Sequence, residues 1–333
     1  MRLIQVCNVG NVVGGTAACA WSVTRALPEV THTVVFRSAP TAETKRAFAH
    51  CCIEVATKIE PDFLDRLGGD LLMLHNISAQ HVFWDGDLAR VKMPVLQYVH
   101  SAFRGHAKSD LMVACSQYLS QKMGQPELQV VYQGVPKPKD ANGKRERCSS
   151  KELIVGRICT PCRQKWPGWL VPFYQRMAER FPEIRWEFVG CPEAMQSDFS
   201  RACHQQAVFY EASWEARKYM NRWHVLLYHN RDITETFGRT VAEAMLAGCV
   251  PVVDNAGGFC EQIDSTNGFL CNEPDDFINA LEVVADREEW ERRSKACQDS
   301  AEACFSLRVF RERLLRACLL AVENSVCATN VKS

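Results

Sequence analysis

Short apolar runs alternate with polar, helix-like stretches through the N-terminal part of the chain. Residues 3–9, 33–37, 71–76, 95–100, 111–116 and 129–134 are runs of the kind that form buried strands. Residues 17–27, 61–67 and 117–123, between them, carry helical patterning. Strands that are apolar throughout, separated by helices, predict a parallel sheet covered on both faces. The pattern breaks at 136–151, where PKPKDANGKRERCSSK holds two prolines, a glycine and six Lys or Arg without apolar periodicity. That stretch reads as a linker or long surface loop, its basic cluster a solvated face. Alternation resumes at 152–157, 185–190, 208–210, 225–230, 250–254 and 268–271. The last ~60 residues read as helix, with Leu307, Phe310, Leu314, Leu315, Cys318, Leu319 and Val322 at helical spacing. The fold class is therefore α/β: two doubly wound, Rossmann-like domains in tandem, with ligands at the carboxyl ends of the strands.

Composition narrows this reading. A chain of 333 residues, 47% hydrophobic and 23% charged, has the length and apolar content for two globular cores. Lys plus Arg and Asp plus Glu both number 39, so no global field draws the protein to nucleic acid. The N-terminal MRLIQVCNVG runs directly into a strand, without a secretion signal. No apolar run reaches the ~18 residues of a membrane span, which leaves only peripheral membrane contact open. Seventeen cysteines are scattered, many in apolar runs such as those at Cys7, Cys19, Cys115 and Cys318. That distribution predicts reduced thiols in a cytoplasmic protein rather than a disulfide framework. Cys159-Thr160-Pro161-Cys162 is a CxxC without a second pair at zinc spacing, and reads as a loop with no metal. Asn76-Ile77-Ser78 is a glycosylation sequon only in a secreted chain.

The densest chemistry lies in residues 232–258, DITETFGRTVAEAMLAGCVPVVDNAGG. A polar loop ends at Phe237-Gly238, a helix carries Val241, Ala244, Met245 and Ala247, and Gly248 closes it. The strand-like Val250–Val253 run follows, then Gly257-Gly258. Glu235 falls in the loop and Glu243 in the first two turns of the helix. Bare N–H groups at Gly238, Arg239 and Thr240 make the helix start an anion site. A carboxylate beside it can accept two hydroxyls of a sugar. Thr240-x-x-Glu243 also fits a capping box, which would make Glu243 a plain helix cap.

E-x7-E with Phe-Gly two residues after the first Glu, then a small-residue helix, G-x-P-V-V and G-G, resembles the retaining GT-B glycosyltransferases of the group-1 (GT4-like) family. The resemblance implies GT-B architecture, two Rossmann-like domains facing a central cleft. It divides the chain into an acceptor-side domain, 1–136 with the terminal helix of about 308–333 returning to it, and a nucleotide-sugar domain, 151–307. It implies a nucleotide-diphosphate sugar donor and a hydroxyl acceptor (glycan, lipid or small molecule), as in polysaccharide biosynthesis, without metal or other cofactor. Glu243 would hold the ribose diol, and Glu235 and His100 would contact the sugar. The Gly14-Gly15 loop would lie under the diphosphate. Arg157, in Val155-Gly156-Arg157, would neutralise the leaving group with a second cation, either Lys165 or Arg163. His75 is a second candidate at a strand end, and Tyr210-Glu211 with 213–222 would hold the base. Ser116 and Tyr132-Gln133-Gly134-Val135 match family positions of structural character. An epimerase or hydrolase on this fold, or a non-catalytic nucleotide-sugar-binding protein, are the alternatives.

Overall fold

The computed structural model describes residues 1–78, 91–102, 105–139 and 152–330. The chain forms two compact units, Met1–Val135 with Leu307–Ser333, and Pro136–Ser306. Of the basic stretch read as a linker, residues 140–151 lie outside the described residues.

The first unit is built on seven strands: β1 (Arg2–Cys7), β2 (Thr31–Phe36), β3 (Cys52–Val55), β4 (Leu71–His75), β5 (Val95–Val99), β6 (Leu111–Ala114) and β7 (Gln129–Val130). Their order is β3-β2-β1-β4-β5-β6-β7, every pair parallel. Every residue of β4 and β5 is buried, as a sheet covered on both faces requires. β3 has no counterpart in the apolar pattern. It is an edge strand whose Cys52 and Val55 are exposed, so its residues carry no buried run. β7 is shorter than the apolar run 129–134 that predicted it. Beyond Val130 the chain is held otherwise: Val131 N–H donates to the Ala114 carbonyl, and Tyr98 Oη donates to the Val131 carbonyl.

The helix Leu307–Asn330 belongs to this first unit. Phe310 is buried against Gly134, where an added Cβ would lie 2.4 Å from the ring, and Arg311 pairs with Glu29. Its buried stripe is Phe310, Leu314, Ala317, Cys318 and Ala321. Leu319 and Val322, part of the predicted apolar spacing, are instead exposed. The alanines occupy the inner positions because small side chains let the helix lie close to its neighbours.

The second unit repeats the plan with β8 (Ile154–Ile158), β9 (Arg185–Val189), β10 (Ala207–Tyr210), β11 (Val225–Tyr228), β12 (Val250–Asp254) and β13 (Phe269–Cys271). The order is β10-β9-β8-β11-β12-β13, again all parallel. Strand order reverses between β1 and β4 in the first sheet and between β8 and β11 in the second. Ligand crevices form outside the carboxyl ends of strands at such reversals. Among the described residues no helix is long and apolar enough to cross a membrane, and the described cysteines are free thiols.

Candidate functional site

In the second unit, three strand ends are tied together by side chains. Asp254, closing β12, accepts from His229 Nδ1 at 2.5 Å and from the Asn230 N–H at 2.6 Å. Asn230 Nδ2 donates to the Gln164 carbonyl at 2.9 Å, and its Oδ1 accepts from the Asp232 and Ile233 N–H groups. Arg157, on β8, donates from Nη1 to the His229 carbonyl at 3.2 Å and from Nη2 to the Lys165 carbonyl at 2.8 Å. Its guanidinium also lies over the rings of Trp166 and Tyr228. Arg157 is 0% exposed. Both Nη groups of Arg157 are thus taken up by main-chain carbonyls. The guanidinium ties the main chain at Lys165 to the main chain at His229, just past β11.

Lys165 Nζ pairs with Glu235 Oε1 and lies 3.4 Å from Tyr228 Oη. Tyr228 Oη donates to the same Glu235 oxygen at 2.7 Å. Burial, then the Glu235 charge, pushes the Tyr228 phenol far up, so it remains a hydrogen-bond donor. Arg163, the alternative cation, is exposed, and no contact joins it to this group. Lys165 and Glu235 are thus brought together and remain about a quarter exposed, at 23% and 25%.

The helix Arg239–Ala247 begins after Gly238, whose φ of 84° is left-handed and whose added Cβ would lie 2.3 Å from Phe259. No side chain caps this helix start. Thr240 is inside the first turn, so the capping box that the sequence allowed does not form. Glu243 is buried; its Oε1 accepts from Arg239 Nε at 2.9 Å, and its Oε2 forms an ion pair with Arg217 Nε at 2.9 Å. Arg217 in turn lies 3.9 Å over the Trp214 ring, on the 3₁₀ helix Trp214–Asn221. Gly257 and Gly258 support the loop from behind: the Gly258 N–H donates to the Glu235 carbonyl, and a Cβ at Gly257 would lie 2.3 Å from that oxygen. Nearby, Tyr210 stacks on Tyr219 with Arg222 over both rings.

In the first unit, Gly14 caps the helix Gly15–Ala26 with backbone alone, and nothing lies within 4 Å of an added Cβ at Gly15. His100, just past β5, sits in a buried polar chain. Gln133 Nε2 lies 3.1 Å from His100 Nδ1, His100 Nε2 3.1 Å from His75 Nδ1, and His75 Nε2 2.9 Å from Gln5 Oε1. Gln5 Nε2 continues to His32 Nδ1 at 3.4 Å, and His32 Nε2 to the Leu27 carbonyl at 2.9 Å. One direction of donation satisfies every link with all three imidazoles neutral. Burial drives His75 down to about 3, which keeps it uncharged. Cys19, His75 and His100 have ligand-type atoms within 4.8 Å of one another, the one such cluster among the described residues. The ring nitrogens of both histidines already carry these hydrogen bonds. Asn76, in the sequon, has φ 61° and donates to Ser101 Oγ while accepting from the His100 and Ser101 N–H groups. It is a clamp on the His100 segment. Ser116 caps the helix Gln117–Lys122 by accepting from the Leu119 N–H, in line with its structural reading.

Sequence reasoning missed the roles of Tyr228, Arg217 and the Asp254–His229 pair, and took Gln133 only as a structural position. Tyr228 and Asp254 each end a strand beside the order reversal, a placement legible once the strands are known. Arg217 has no sequence signal, because its partner Glu243 lies 26 residues later.

The sequence model of the family described as "Glycosyl transferases group 1" matches residues 150–287. The second unit carries a group 1 glycosyl transferase domain. No curated protein matches the chain in sequence. Solved structures extend the likeness to the first unit. HepE of Anabaena, crystallised with UDP and glucose, is 17% identical with a TM-score of 0.73, covering 95% of this chain and 98% of that one. A glycosyltransferase of Rickettsia africae is 14% identical with a TM-score of 0.77, covering 97% and 99%. Sucrose-phosphate synthase of Thermosynechococcus elongatus is 14% identical with a TM-score of 0.69, covering 95% and 98%. The chain thus has the GT-B fold.

Proposed function

We propose that this chain is a glycosyltransferase that takes a nucleotide-diphosphate sugar and transfers the sugar to a hydroxyl acceptor with retention of configuration. The observation that carries the reading is the Lys165–Glu235–Tyr228 cluster beside the uncapped helix start at Gly238, with Glu243 buried one turn further in. A partly exposed ammonium and an uncapped helix N-terminus together suit a diphosphate. HepE, of the same fold, was crystallised with UDP-glucose.

Lys165 supplies the countercharge that develops on the leaving diphosphate, and Arg157 positions it through the Lys165 carbonyl. Glu235 orients the sugar once Lys165 turns to phosphate, because Tyr228 then remains as its donor. Glu243 accepts the ribose hydroxyls on lone pairs left by Arg239 and Arg217. The leaving phosphate takes the acceptor proton on the same face, so no separate base is required.

Sugar transfer from a radiolabelled donor to an added hydroxyl acceptor tests this. Label in the acceptor, with the product anomer matching the donor, is the predicted result. Release of free sugar alone would indicate a hydrolase, and interconversion of donors an epimerase.

A further inference from the structure

The Cys159-Thr160-Pro161-Cys162 loop has no part in sugar transfer, yet it leads directly into Lys165. It leaves the end of β8, where the Cys159 N–H donates to the Val189 carbonyl at 3.1 Å. The Cys159 carbonyl is packed so closely that a Cβ on Gly190 would lie 2.0 Å from it, which fixes this end of the loop. Cys159 is half-buried and Cys162 is exposed. The Cys162 Sγ turns back to within 3.8 Å of Thr160 Oγ1, and its N–H donates to the Thr160 carbonyl at 2.8 Å. Most importantly, the Cys162 carbonyl accepts from both the Lys165 and the Trp166 N–H groups, each at 3.0 Å. Cys162 therefore anchors the turn that presents Lys165 to Glu235.

We propose that Cys159 and Cys162 are a reversible dithiol–disulfide site whose oxidation draws Cys162 toward Cys159, breaks the turn at Lys165 and weakens phosphate binding in the second unit. The effect on binding rests on the role given to Lys165 above; the disulfide itself does not.

The two thiols differ in a way that orders the chemistry. Burial pushes the Cys159 thiol up, opposed by the neighbouring Arg157 and Lys165 charges. The exposed Cys162 is the entry point and Cys159 the resolving thiol. The co-reactant is a small-molecule disulfide. Cys162 thiolate attacks one of its sulfurs, the S–S bond breaks, and one small thiolate leaves, taking up the proton that Cys162 lost. Cys159 then loses its proton and attacks Cys162 Sγ, expelling the second small thiol. Two cysteine thiols become one disulfide, and one small disulfide becomes two thiols. A reduced small dithiol reverses both steps.

Trypsin cuts after Arg157 and Arg163, so residues 158–163 form one peptide holding both cysteines. The full chain is treated with oxidised glutathione, quenched in acid, alkylated and digested. The expected peptide is unalkylated and lighter by two hydrogens than the dithiol form, and dithiothreitol restores the dithiol. Calorimetry with UDP, GDP and ADP then compares oxidised and reduced protein. Whichever nucleotide the reduced protein binds should bind about tenfold more weakly after oxidation, the loss of one charge-assisted contact. Cys162→Ser should form no such peptide and bind the nucleotide equally with and without oxidant. Two alkylated cysteines, or glutathione left on Cys162 alone, would overturn the site. A disulfide with unchanged nucleotide affinity would overturn its coupling to Lys165. If no nucleotide binds either form, the donor reading fails while the peptide result still decides the disulfide.

Discussion

Glu243 is the side chain at which the site reading and simple stability meet. It is buried between Arg239 and Arg217, so Glu243→Ala leaves two guanidinium groups without their carboxylate. Removing one partner of a buried ion pair costs about 3–5 kcal/mol, which a urea titration would read directly. Glu243→Gln keeps the shape and should lower nucleoside diphosphate affinity about tenfold, the worth of a charge-assisted bond. For a plain helix cap, Glu243→Gln would leave binding and stability almost unchanged, but the helix starts after Gly238 and Thr240 caps nothing. At Lys165, alanine should cost about tenfold in nucleoside diphosphate affinity by calorimetry, whereas Arg163→Ala should be silent because Arg163 is exposed and apart from the cluster. The sequence alone left these two cations equal, since a longer loop shifts the spacing; the Arg157 bond to the Lys165 carbonyl is what distinguishes them. The two glutamates were legible because their spacing belongs to a motif. Arg217 was not, because its partner lies far along the chain, and Tyr228 was not, because it ends an apolar strand run and its pairing with Glu235 follows no motif spacing.

Elements were more legible than their edges. Buried strands such as β4 and β5 carry unbroken apolar runs, and both were located to within a residue of their ends. β3 was not, because an edge strand exposed at both ends has no apolar run to find. The helix Gly15–Ala26 gives a test at this scale. Nothing lies within 4 Å of an added Cβ at Gly15, so Gly15→Ala should leave the melting temperature unchanged. If a diphosphate approaches that backbone, the same variant should lose turnover, and unaltered turnover would remove Gly15 from the site. The helix Leu307–Asn330 behaves oppositely. Phe310 is buried on Gly134 and near Tyr98, so Phe310→Ala should cost about 3–5 kcal/mol in urea unfolding. Periodicity placed that helix and the inner positions Phe310, Leu314 and Cys318, but not Ala317 and Ala321, because alanines weigh little in an apolar count.

Across the whole molecule, burial of the histidine chain makes stability fall in acid. His75 is held neutral by burial with its folded value near 3, below its usual 6.5. An unfolded chain therefore takes up a proton there that the folded chain refuses. The stabilisation is complete above about pH 6.5 and is lost as pH falls toward 3, by about 1.4 kcal/mol per pH unit at the steepest. His32, also lowered chiefly by burial, acts in the same direction. Urea midpoints at pH 7 and pH 5 should differ accordingly in the first unit, whereas lowered carboxylates such as Asp264 and Glu29 contribute only at more acid pH.

The central claim, that the second unit binds a nucleotide-diphosphate sugar through Lys165 and the helix at Gly238, is most directly tested by thermal unfolding in EDTA with a panel of nucleoside diphosphates and their sugars. At 100 times its dissociation constant the right ligand should add ~2.7 kcal/mol, and at the same ligand concentration Lys165→Ala should cut that gain to about half. No stabilisation by any member of the panel, or stabilisation that EDTA abolishes, would contradict the account.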